Sequence, residues 1–347
     1  MKPAIVLAAA LLAMPAFAQP LAINGEAIAD AALMAAARKE SKILYYGSYP
    51  ESSFKIIADA FAKDTGINVT YMRLTTQNMF PRVTTEFTAG KLEADIVDMT
   101  DLTLVHDLVG LGVLARPHIT PSHGRLAKSV RDEEGRWYAI VRPTSTITVN
   151  TAMVKEADYP KSYKDMLDPK WAGKLAMPGI DAGGSTFSMY MFLRDVVSPD
   201  YWPRLAALKP RIHAAIIPTT TDLIRGEASA IMGGPEPSLR QLEEGAPLKI
   251  IFPVEGLSSF PIAGGITTRG RNVNASRVFL NWITSKRGGD TVSTTGGYAT
   301  HPDAPAPVSS GVRFPPTAQV WNIPLDEWLK KRETYSKEWR ALFTGGR

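Results

Sequence analysis

From Ala176 to Val197 the chain reads AMPGIDAGGSTFSMYMFLRDVV. A strand-like end and a Pro-Gly turn lead into Gly183-Gly184-Ser185-Thr186, and an almost wholly apolar run begins with no acidic residue in its first turn. A helix starting there exposes unpaired backbone N–H groups and carries roughly half a positive charge. Two glycines allow a close approach to that backbone, and Ser185 and Thr186 add hydroxyl donors. The chemistry on offer is the docking of an anion. The plainer reading of the same residues is a serine N-cap after a flexible turn.

Arg142 is the second candidate. It precedes Pro143, which biases it towards extended backbone, in an extended run otherwise lacking charge, YAIVRPTSTITVN from Tyr138 to Asn150. A guanidinium there could grip a carboxylate or phosphonate in a bidentate fork. It could equally sit on the surface, paired with Asp132 or Glu133. Catalytic patterns are missing. His106, His118, His123, His213 and His301 are scattered without a zinc spacing, and His118 and His123 lie in a proline-containing loop where solvation is expected. No GxSxG elbow, P-loop or complete dinucleotide fingerprint occurs; Gly110-Leu111-Gly112 ends a helix rather than starting one. A secreted hydrolase stands only as the enzymatic alternative, whose sign would be turnover of esters or phosphomonoesters.

These residues need a scaffold. The 347 residues are 45% hydrophobic and 21% charged, enough for two domain-sized units. Lys2, the apolar PAIVLAAALLAM and Ala16-Phe17-Ala18 read as a secretory signal over residues 1–18, cleaved before Gln19. Its core is too short to span a bilayer, and no later run reaches the roughly 20 apolar residues a spanning helix needs. The expectation is an exported, periplasmic chain with no direct membrane insertion. The absence of cysteine fits export of a protein with a large core, and removes a lipid anchor. The formal charge is +5, one less after loss of Lys2. Acidic and basic residues are interspersed with no aromatic-interleaved basic run, which argues against nucleic acid.

Residues 25–40 read as an Ala-rich helix, followed by the β-rich KILYYGS, a helix over residues 53–66 closed by Gly66, and the strand INVTYMRL. MFPRVTTEFTAGK reads as a helix, ADIVDMT as a buried strand and LTLVHDLVGLGVL as a helix. A second alternating series runs from KLAMPG through a helix at residues 185–197 and RLAAL to DLIRGEASAIMGG and LKIIFPVEG. Alternation of this kind implies parallel sheets flanked by helices. YAIVRPTSTITVN and SSFPIAGGITT read as two extended crossings between two lobes. The expected division is residues 41–145 with 260–302 for one lobe, and 146–259 with 303–345 for the other. The tail after His301 reads as Pro-rich and then helical.

ADAFAKDTGINVTY, ADIVDM, GRWYAIVRPTSTITVNTAMV, YKDMLDPKWAGKLAMPG, LIRGEASAIM and FLNWITSKRGGDTVSTTGGYATHPD occur in this order. Together they resemble type II periplasmic solute-binding proteins of ABC importers, in the branch of iron(III), thiamine, polyamine and organophosphonate binders. The resemblance implies an α/β, two-lobed type II fold, each lobe a mostly parallel sheet flanked by helices. It implies a monomer that closes over a small solute and delivers it to a membrane ABC permease, with no cofactor. It also bears on iron. The histidine, glutamate and tyrosine pair with which such proteins hold the ion fall on Pro50, Thr100 and Gly234-Pro235, none of which offers a hard metal an anionic oxygen. Glu236 is the one carboxylate beside the last of these and reads as a solvated loop residue. Iron(III) or a ferric complex stays as the alternative cargo. A polyamine would meet few carboxylates beyond Asp101 and Glu236.

Ligands of open α/β sheets lie at the carboxyl ends of strands. In the architecture the resemblance implies, that brings Ser48 and Tyr49, Thr75 and Thr76, and Thr100 to the cleft. Arg142 and Ser145 arrive from the first crossing, Gly184, Ser185 and Thr186 from the helix start, and Tyr298 from the last crossing. The expected solute is a small organic anion.

Overall fold

A computed structural model describes residues 19–345, so the expected signal over residues 1–18 lies outside the described residues. The first departure comes at once. Asn24 and Gly25 have φ of 52° and 82° and turn the chain between β1 (Leu21–Ile23) and β2 (Glu26–Ala29), so the expected helix starts only at α1 (Ala31–Glu40). Asn-Gly is the dipeptide a tight primed turn requires, and that signal overrides the alanine-rich composition.

The first α/β series then follows the sequence closely. It runs β3 (Lys42–Gly47), α2 (Glu51–Thr65), β4 (Asn68–Arg73), α3 (Thr76–Thr88), β5 (Ile96–Met99) and α4 (Leu102–Gly110). On α2, Phe54, Ile57 and Phe61 fall on one stripe and are fully buried. Phe54 stacks on Tyr71 with ring centroids 3.9 Å apart; burial of such a ring stabilises by about 1.5–3 kcal/mol. Gly66 ends the helix at φ 76°.

The chain crosses over through β6 (Tyr138–Val141) and β7 (Thr146–Asn150). It builds the second series from β8 (Leu175–Pro178), α5 (Gly184–Phe192), α6 (Tyr201–Ala207), β9 (Arg211–His213), α7 (Ile216–Arg225), β10 (Ala230–Gly233), α8 (Glu236–Glu243) and β11 (Leu248–Ile251). It returns through β12 (Leu257–Ser259) and β13 (Ile262–Ile266) to α9 (Val273–Ile283) and α10 (Lys286–Ser293). The tail forms the hairpin of β14 (Val308–Ser309) and β15 (Val312–Arg313), then β16 (Val320–Asn322), and closes with α11 (Leu325–Phe343).

Two five-stranded sheets result, ordered β4-β3-β5-β13-β6 and β11-β7-β10-β8-β9. Four strands of each run one way, and one is reversed, β13 in the first and β7 in the second. The reversed strands are the ones that enter straight from a crossing. A chain arriving at the carboxyl end of the other strands can only run back along the sheet, so the sheets are mixed for a reason the topology supplies.

The inner strands of both sheets are buried on both faces, while the edge strands β4, β9 and β11 are partly exposed. Tyr45 and Tyr46 of β3 point to opposite sides and join separate apolar clusters. Asp95, just before β5, accepts the backbone N–H groups of Leu44, Arg271 and Asn272 at 2.8–2.9 Å and ties three segments together. Contrary to the solvated reading, His118 and His123 are half-buried and hydrogen-bonded to Asn281 and Tyr138, and burial lowers the pKa of each.

Candidate ligand-binding site

The carboxyl ends of β3, β4, β5, β8 and β10 all face one cleft between the sheets. Among its lining residues are Ser48, Tyr49, Thr75, Thr76, Thr100, Ser145, Ser185 and Thr186. Eight of the residues read from the sequence are therefore brought together. Apolar walls come from Pro143, Met189, Ile216 and Ile262.

Ser48 is held from below. Its N–H and Oγ both donate to Asp98 Oδ1, at 2.8 and 2.6 Å, while Tyr45 Oη donates to Oδ2 at 2.8 Å. Asp98 is fully buried, and desolvation pushes its pKa up to about 6 against the hydrogen bonds that oppose it. Tyr49 is anchored by its hydroxyl, 2.9 Å from Thr295 Oγ. Thr76 Oγ accepts the Thr100 N–H at 3.1 Å and lies 2.9 Å from Thr100 Oγ, which accepts the Gly184 N–H at 3.1 Å. One chain of hydroxyls thus joins the first sheet to the start of α5.

The glycines serve a partner other than the one expected. Gly183 takes φ 144°, open to glycine, and a Cβ on Gly184 would lie 1.6 Å from the Thr100 carbonyl oxygen. The close approach they permit is made by the first lobe. Gly184 spends its N–H on Thr100 and does not line the cleft. Thr186 returns its N–H to Gly183, leaving Ser185 as the residue of this turn whose N–H and Oγ meet no hydrogen-bond partner among the described residues.

Arg142 and Tyr298 require correction. The Arg142 guanidinium donates to the Ala299 carbonyl from Nε and Nη2, at 3.2 and 3.0 Å, and reaches Asn322 at 3.5 Å. It supports the crossing and faces neither the cleft nor Asp132 and Glu133, which pair with Arg136 and Arg131. Burial lowers its pKa. Tyr298 is 1% exposed, and its hydroxyl donates to the Pro315 carbonyl, away from the cleft. The two bridge through backbone bonds of 2.8 and 3.0 Å, which stitch the first crossing to the loop after α10.

Two charged residues occupy the cleft instead. Arg73, the last residue of β4, lines it with no carboxylate within ion-pair distance among the described residues and with an Nε that is buried without a partner there. In the sequence Arg73 lies inside the strand INVTYMRL; the available signal is a cation near a strand's carboxyl end, two residues before Thr75. Glu236 begins α8 and is 8% exposed, not a solvated loop residue. Its Oε1 has no partner among the described residues, and desolvation raises its pKa to about 7. Pro50, Thr100 and Gly234 also line the cleft, so Glu236 is the one carboxylate among the lining residues. Asp101, by contrast, caps α4 and pairs with Arg332 at 3.0 Å. Groups of three or more metal-ligating side chains do not occur among the described residues.

Two helix-flanked sheets, joined by extended crossings and turning their strand ends onto one cleft, define a two-lobed binding-protein fold. The chain belongs to the bacterial extracellular solute-binding protein family, whose description matches residues 94–323. It is 28% identical over 141 residues to the Fe(3+)-binding periplasmic protein of Serratia marcescens. The chain spans about two-fifths of the length of the curated relatives it matches. The structure is similar to that of the periplasmic binding protein AfuA from Actinobacillus pleuropneumoniae with fructose-6-phosphate bound, at TM-score 0.68 and 19% identity, over 87% of this chain and 98% of that one. It is also similar to the substrate binding protein of an ABC transporter from Agrobacterium tumefaciens, at TM-score 0.73 and 17% identity, over 87% and 95% of the two chains. At such identities the likeness is one of fold.

Proposed function

We propose that this chain is a periplasmic receptor that closes over a small organic anion, carrying a carboxylate, phosphonate or phosphate, and presents it to an ABC permease. The observation that carries the reading is Arg73. Its guanidinium lines the cleft without a carboxylate partner, and the unpartnered N–H and Oγ of Ser185 line the same space from the other lobe. Arg73 is half-buried, and its Nε is shut off from solvent without an acceptor; leaving such a donor unpaired is costly, and an anion placed between it and the start of α5 relieves that cost. Thr75 and Thr76 add hydroxyls. Ligand touching both lobes favours the closed arrangement in proportion to its differential affinity.

An iron(III) cargo is served less well. A hard cation wants several anionic oxygens, and the lining supplies Glu236 alone.

Mass spectrometry of small molecules released from the purified protein is the direct test, and an organic anion is the expected result. With that anion, Arg73→Ala should weaken binding by roughly 10- to 100-fold, the range for a charge-assisted hydrogen bond. Arg142→Ala should leave affinity within about twofold, because its contacts are structural. Release of a ferric ion or a polyamine, or an unchanged affinity in R73A by titration calorimetry, refutes the reading.

A further inference from the structure

A buried acid in a cleft meant for an anion calls for an explanation. Glu236 is 8% exposed, its Oε1 meets no hydrogen-bond donor among the described residues, and it lines the cleft from the lobe opposite Arg73. A carboxylate left unpaired in such a place is costly, so a native structure that keeps one has a partner for it.

We infer that Glu236 is a specificity-determining contact, which accepts a hydrogen bond from the solute and so selects anions that carry their own donor, an ammonium or hydroxyl group. This rests on the anion reading above and adds to it: Arg73 and Ser185 take the acidic end, and Glu236 takes the donor end.

The surroundings favour Glu236 as acceptor. It is the first residue of α8, where the helix dipole stabilises a negative charge. Arg73, Arg225 and Arg240 line the adjoining space with it, against Glu51 and Glu243, and the buried Tyr49 hydroxyl, also within reach of its field, stays protonated. Desolvation raises the Glu236 pKa to about 7. A donor from the solute stabilises the ionised form and lowers that value, so binding near neutrality releases a proton.

The test uses two matched series on the full mature chain: ethyl phosphate with its 2-hydroxy and 2-amino derivatives, and butyrate with its 4-hydroxy and 4-amino derivatives. Titration calorimetry should show at least one substituted member binding ten times or more tighter than its parent. That preference should vanish in Glu236→Gln. Taken as a ratio to its unsubstituted parent, which cancels the second ionisation of the phosphates themselves near pH 6, affinity of the preferred member should rise by about tenfold from pH 6 to pH 8 in the wild type, with a flat ratio in E236Q. If E236Q does not fold, the wild-type profile and preference decide alone. Equal affinities across both series overturn the inference, as does affinity that falls with rising pH, which would make Glu236 a protonated donor to the anion. If no member binds while ferric citrate or spermidine does, the anion reading has failed and this inference fails with it.

Discussion

Asp98 is the clearest case of a residue whose setting decides its chemistry. It lies at the end of β5, fully buried, with Ser48 and Tyr45 as its donors, and it carries no counter-charge. Its pKa rises from 3.8 to about 6, with desolvation as the leading cause. The folded state therefore keeps this proton longer than the unfolded chain does. The group costs nothing below about pH 4, and stability falls as pH rises to about 6, by roughly 3 kcal/mol in total. Asp98→Asn keeps the shape and removes the charge. In urea unfolding, the stability of D98N relative to wild type should improve by about 2–3 kcal/mol between pH 4 and pH 7. A constant difference across that range would show that Asp98 ionises normally.

At the level of elements, the start of α5 is shared between two tasks. Gly183 and Gly184 bring it against the Thr100 backbone, and Ser185 is left facing the cleft. The approach is so close that a Cβ on Gly184 cannot coexist with it, since that carbon would also fall 3.0 Å from the Trp328 ring. Gly184→Ala costs little in helix propensity, because alanine is the better helix former. Its effect should appear between the lobes. Small-angle scattering should give G184A a larger radius of gyration than wild type, with a thermal midpoint within a few degrees. An identical scattering curve would mean that the Thr100 contact can be relaxed without parting the lobes.

For the whole molecule, α11 is the element that spans the division. Its aromatic face packs into the second lobe, with Trp328 against Phe187 and Tyr335 against Trp202 at centroid distances of 4.8 and 5.4 Å. From that base, Trp328 Nε1 and Arg332 Nε reach Asp101 of the first lobe, at 3.2 and 3.0 Å. Gln77 of α3 meets the Asp181 carbonyl across the same boundary. Asp101 is 5% exposed, so its pair with Arg332 is shielded from solvent on one side. An interaction made only when the lobes touch adds its free energy to closure. Arg332→Ala should shift that balance by about 1–2 kcal/mol and weaken solute affinity by about 5- to 30-fold, with a lesser effect on the thermal midpoint. Calorimetry showing wild-type affinity would place the pair outside the closure equilibrium.

Much of this protein is legible without coordinates. The alternation of strands and helices, the stop at Gly66, the extended crossings and the gathering of Ser48, Thr75, Thr76, Thr100 and Ser185 at strand ends follow from periodicity and from one rule about where open sheets bind. Those signals are local, written within a dozen residues. Which cation faces the cleft was not legible. Arg142 and Arg73 both stand beside a strand end, but Arg142 is claimed by a carbonyl 157 residues away, whereas the Arg73 Nε meets no acceptor among the described residues. The same holds for Gly184, whose partner lies 84 residues back, and for Glu236, which lines the cleft with Tyr49 and Arg73 of the other lobe. Sequence alone determined most of the elements and which residues stand at the carboxyl ends of the strands, because short-range periodicity specifies backbone. Only the tertiary structure decided which side chains are spent on holding the lobes and which are left for a solute, because burial and pairing are set by residues far apart in the chain.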